Sequence, residues 1–116
     1  MGEKKKATAA TYKVRVSLNA LQNIDEISGY IAFINHQPGN SIKVGDAIWE
    51  TIDRIVLNPF SFRECEEIPT QNKSYRRAIC YSWSIIYRIK ENEILILGII
   101  HHSRKPAKIR RLGKIK

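Results

Sequence analysis

WSIIYRIKENEILILGIIH, residues 83–101, decides the fold. Its first half alternates, with Trp83, Ile85, Tyr87 and Ile89 on one side and Ser84, Ile86, Arg88 and Lys90 on the other, which is the period of a strand. Its second half, Glu93 to His101, is almost continuously apolar, so it predicts a strand buried on both faces in a sheet interior. Glu91-Asn92 between them is a hairpin-length turn, and Tyr81-Ser82 is another, linking back to a shorter strand at Tyr75 to Cys80. The three make an antiparallel meander.

Upstream, Tyr12, Val14 and Val16 alternate with Lys13, Arg15 and Ser17, a further half-buried strand. The period then changes: Leu18, Leu21, Ile24, Ile27, Ile31 and Ile34 recur every three or four residues, predicting an amphipathic helix over 18–36 with Ser17 as N-cap. Pro38-Gly39-Asn40 has turn composition. A second helix over about 41–57 places Val44, Ile48, Ile52 and Ile55 on one side and stops at Asn58-Pro59. Residues 59–74, with two prolines and mixed charge, predict a loop of functional length. The expected architecture is α/β, a helix hairpin on one face of an antiparallel sheet. Two helices cannot cover both faces, so the second requires either the C-terminal tail or another chain. In that tail, Ile109, Leu112 and Ile115 stand at helical spacing among cations. The domain expected is 12–106, between a flexible basic arm over 1–11 and a basic tail over 107–116.

The 116 residues, 43% hydrophobic and 27% charged, make one small domain with a modest core. No apolar run approaches the ~20 residues of a membrane span. The basic start at Met1 to Lys6 is followed by an Ala/Thr stretch too short and polar for a signal-peptide core. Cys65 and Cys80 lack CxxC spacing and predict reduced, buried thiols, as in a cytoplasmic protein. Of the formal +9 charge, none comes from residues 18–58, where five carboxylates face two cations, whereas residues 75–116 hold eleven cations against Glu91 and Glu93. Such a block draws phosphate backbones or an acidic protein surface in a salt-dependent way.

The densest collection of reactive side chains is His101-His102-Ser103-Arg104-Lys105. A histidine moves protons near neutrality and neighbouring cations stabilise phosphoryl charge, so His101 and His102 are candidate acid and base for phosphodiester cleavage. Arg104 and Lys105, with Arg76 and Arg77 on opposite faces of the first meander strand, are candidate phosphate- or target-binding groups. Adjacent strand residues point apart, and no HExxH or Cys/His spacing is present, so no metal site is expected. No P-loop or GxGxxG suggests a cofactor, and none is expected. Tyr87, on the Trp83 face, is assigned to the core.

Ile68-Pro69, Tyr75-Arg76-Arg77, Ile85-Ile86-Tyr87-Arg88-Ile89 and Ile99-Ile100-His101-His102-Ser103-Arg104-Lys105-Pro106, in this order after a strand and a helix hairpin, resemble the RelE/ParE superfamily of bacterial toxins over residues 12–106. The resemblance implies a plasmid-stabilisation-type toxin-antitoxin module, with a cognate antitoxin that would cover the open sheet face and the basic residues around Arg76, Arg77 and Arg104. RelE-like members are ribosome-dependent mRNA endonucleases, whereas ParE-like members act on DNA gyrase. Ser84 stands where RelE-like nucleases tend to have arginine, and Ala78 follows Arg76-Arg77 where they place lysines. The ending at His101 to Pro106 is closer to the ParE type. The expectation is therefore a ParE-like gyrase inhibitor, with a RelE-like endonuclease as alternative and a plain nucleic-acid-binding module third.

Overall fold

A computed structural model describes residues 11–116, so the arm expected over 1–11 lies, but for Thr11, outside the described residues. Strand β1 (Lys13–Val16) leads into helix α1 (Leu18–Gly29), a π-helical turn (Tyr30–Ile34) and helix α2 (Pro38–Leu57). A 3-10 turn (Pro59–Ser61) and a short β2 (Arg63–Glu64) precede β3 (Tyr75–Cys80), β4 (Trp83–Lys90), β5 (Glu93–His101) and helix α3 (Pro106–Leu112). The sheet order is β1-β5-β4-β3-β2. β5 is interior, as its unbroken apolar run requires.

Several boundaries correct the sequence reading. The sheet is mixed, because β1 runs parallel to β5, with Lys13 opposite Glu93 and Val16 opposite Ile96. The 59–74 loop contributes a strand, pairing Arg63 with Arg77 and Glu64 with Arg76. Pro38-Gly39-Asn40 is no turn but the first turn of α2: proline's fixed φ suits that position, and its missing N–H would have found no helical partner there. The first helix ends early, widening at Tyr30–Ile34 before His36 reverses the chain with φ 55°.

Ser17 caps α1 as expected, its Oγ accepting from Ala20 N at 3.0 Å and donating to Leu97 O at 3.0 Å. The buried stripe is Ala20, Ile24 and Ile31, with Ile27 partly buried; Leu18, Leu21 and Ile34 are exposed. With Ile48, Ile52 and Ile55 of α2, Ala20 and Ile24 pack on Ile85, Tyr87, Ile89, Ile94, Ile96 and Ile99. On the other face, Ile109 and Leu112 of α3 bury Ile86, Leu95, Leu97 and Ile100. The chain's own tail therefore covers the second face, and no antitoxin is required to close it.

β5 is irregular at one point. Ile86 pairs with Gly98 and Tyr87 with Ile96, leaving Leu97 as an extra residue. Beyond Val16 the β5 edge has no strand partner, and α1 supplies one from its side chains: Asn19 Nδ2 donates to Leu97 O and Asn23 Oδ1 accepts from Ile99 N, both at 3.0 Å. Those amides satisfy buried strand groups that β1 is too short to reach.

Candidate functional site

The end of β5 holds a turn locked by its own residues. His102 N donates to Ser82 O at 2.9 Å and Arg104 N to His101 O at 2.9 Å. His101 Nδ1 lies 2.7 Å from Ser103 Oγ and accepts from Ser103 N at 3.2 Å, so in the neutral ring the proton sits on Nε2. The Trp83 ring meets His101 edge-on at 5.7 Å, and His102 stacks on His101 at 4.8 Å. Pro106 then starts α3, with Lys105 extended at its N-cap position.

This turn borders an open cleft of about 880 Å³ between α1, the π-helical turn and the start of α3. Arg104, Lys105, Lys108 and Arg111 line it against a single carboxylate, Glu26. All four cations are exposed, and none has an ion pair among the described residues. Lys108 and Arg111 were not among the residues singled out from the sequence, yet the signal was present: they stand three apart in a short helix, beside the buried stripe of Ile109 and Leu112.

Arg76 and Arg77 lie elsewhere. They point to opposite faces, as alternation requires. Arg76 is spent on the 59–74 segment: its Nε donates to Lys73 O at 2.9 Å, its Nη1 to Phe62 O at 2.8 Å and Phe60 O at 3.3 Å, and it lies over the Phe60 ring. Arg77 pairs with Glu67 at 3.3 Å and donates to Ser84 Oγ at 2.8 Å, so Ser84, the departure from a RelE-like pattern, is the partner of an arginine. Along β5 the rows of Arg76 and Arg77 fall five and three residues before His101, about 16 and 10 Å at strand rise. His101 and Arg104 are brought together; Arg76 and Arg77 do not join them.

Two buried groups are chemically quiet. Tyr87 donates from its hydroxyl to Pro59 O at 2.6 Å, and burial raises its phenol well above the ordinary range. Burial, reinforced by the Glu67 carboxylate, pushes the Cys65 thiol up to about 11, which leaves it protonated and unreactive. Cys80 is also buried and free. Among the described residues no three His, Cys, Asp or Glu side chains gather to hold a metal ion. No helix among them is long and apolar enough to cross a membrane.

The family described as ParE toxin of type II toxin-antitoxin system, parDE, matches residues 14–106. No curated protein matches the chain in sequence. Among solved structures, a chain of the chromosomal ParDE TA system from P. aeruginosa is similar at a TM-score of 0.62 and 20% identity, over 79% of this chain and 97% of that one. That likeness extends to the fold.

Proposed function

The chain belongs to the ParE toxin family of type II toxin-antitoxin systems, and from that premise we propose that it arrests growth by binding DNA gyrase, and that a cognate antitoxin neutralises it. The observation that supports binding over cleavage is that the sheet arginines Arg76 and Arg77 are both engaged away from the histidines, which leaves only exposed cations such as Arg104 and Lys105 beside them. Acid-base cleavage requires a proton-transfer group and a phosphate clamp within hydrogen-bond reach of the same atoms. Here Arg76 serves three backbone carbonyls, Arg77 serves Glu67 and Ser84, and the histidines stand rows away. A binding mechanism needs no proton transfer, metal or cofactor. Arg104 and Lys105, exposed beside the β5 turn, act as charge anchors for an acidic protein surface. Tyr30, Phe33 and Ile34 stand exposed on the π-helical turn, apolar area of the kind a protein partner covers.

The test is expression of the chain with and without its neighbouring reading frame, followed by gyrase supercoiling and translation-dependent mRNA cleavage assays. Wild type, His101→Ala and His102→Ala are all expected to inhibit supercoiling and to leave mRNA intact. Cleavage of ribosome-bound mRNA that falls ~10²–10⁴-fold on histidine substitution, the general acid-base range, with gyrase unaffected, would overturn the proposal in favour of the endonuclease.

A further inference from the structure

The cleft beside His101 does not end at Trp83. A second hollow of about 360 Å³ adjoins it, with Ile31, Asn35 and Trp83 as shared walls, and the two are taken together as one groove past the indole. Cations stand at both ends, Lys43 at one and Arg104, Lys108 and Arg111 at the other, without ion pairs among the described residues. Aromatic side chains share the lining with them: Trp83 borders both hollows, Tyr30 the first and Tyr81 the second, the two tyrosines with 56% and 59% of their surface exposed. Tyr81 is held out at φ 53°, a backbone conformation that costs a bulky side chain energy. Asn35, Gln37 and Asn40 add neutral amides along the same path.

We propose that this groove binds a short single strand of nucleic acid, with phosphates on the terminal cations and bases stacked on Tyr81, Trp83 and Tyr30. The chemistry of the lining selects the ligand. Spaced cations track a phosphate chain, and interleaved aromatic faces take unpaired bases of any sequence. A duplex hides those faces in its own stack, and the groove is recessed between a helix hairpin and a sheet end, with no protruding helix or ribbon to enter a major groove. An acidic peptide would satisfy the cations but gains nothing specific from the rings that share the lining. The inference goes beyond the toxin reading, and its test uses neither gyrase nor antitoxin.

The full chain is titrated into a fluorescein-labelled oligothymidylate of about ten nucleotides, inside the ~4–16 range such grooves cover, and its oligouridylate counterpart, followed by anisotropy over a salt series. Saturable binding to both is expected, at least tenfold tighter than to a duplex of equal length. Trp83 packs partly on the core, so the exposed pair Tyr30→Ser with Tyr81→Ser carries the test, and should weaken binding about 30-fold or more, two stacks at the low end of the range for base–aromatic stacking. Lys108→Ala with Arg111→Ala should reduce the slope of log K on log salt by about 1.4, two contacts at ~0.7 each for single strands. In a Trp49→Phe variant, which leaves Trp83 as the single tryptophan, the oligonucleotide should quench fluorescence. No binding at low salt overturns the proposal. So does binding that ignores the tyrosine pair, that a duplex matches, or that an oligoglutamate of equal length matches, the last assigning the groove to acidic peptides.

Discussion

Arg76 shows how little a residue type says about its task until its partners are known. Its guanidinium looks like a phosphate ligand in the sequence and serves as a clip for residues 60–73, donating to three carbonyls of one irregular segment. Tyr87 anchors the same segment from the core side, through Pro59 O. Tyr87→Phe should therefore destabilise the fold by about 1–3 kcal/mol, the cost of stranding a buried acceptor, seen as a lower urea midpoint at unchanged m-value. An unchanged midpoint would mean that water replaces the hydroxyl. Cys65 makes a second residue-scale prediction. Its thiol is raised in the folded state to about 11 from an ordinary 9.0, so below pH 9 both states keep the proton and stability is whole. As pH rises from 9 to 11 the unfolded chain ionises first and stability drains away. Cys65→Ala should flatten the fall in Tm over that window relative to wild type, and parallel curves would refute it.

At the scale of elements, the join between α1, β5 and α3 leaves no room for a side chain at Gly98. A Cβ on Gly98 would lie 2.9 Å from Asn19 Nδ2, 3.1 Å from Asn23 Oδ1 and 3.0 Å from Leu112 Cδ2. Gly98→Ala should then disturb the amide clasp and the tail helix together, costing about 1–3 kcal/mol, as overpacking does; wild-type protection of the Ile99 amide in hydrogen exchange would count against it. This join also marks where sequence legibility stops. The meander, the interior place of β5, the Ser17 cap and the apolar spacing of Ile109 and Leu112 were readable, because each follows from a local period or a local hydrogen bond. The parallel β1–β5 pairing and the Asn19 and Asn23 clasp were not, since they depend on chain segments about 80 residues apart, and the β5 bulge interrupts a continuous apolar run with no local sign. Of the candidate site, the β5 turn with Arg104 was visible as a cluster, whereas Trp83 beneath His101 becomes a neighbour only through strand register.

Over the whole molecule, charge follows the layers. Residues 18–58, net −3, are the hairpin on one side of the sheet, while residues 75–116, net +9, supply three strands and the helix that closes the other side. A body polarised in this way steers an acidic partner toward one side before any close contact forms. Charge anchors of this kind govern encounter more than dissociation. Arg104→Glu with Lys105→Glu should therefore slow association with the proposed antitoxin about tenfold to a hundredfold at low salt, within the range of electrostatic steering, and leave the dissociation rate nearly unchanged. Near 1 M salt, where the screening length shrinks to ~3 Å, wild type and variant should associate at similar rates. Surface plasmon resonance over a salt series separates the outcomes. A loss of affinity that persists at high salt and appears in the dissociation rate would place these two cations inside a desolvated contact instead, and steering would no longer explain where the basic charge sits.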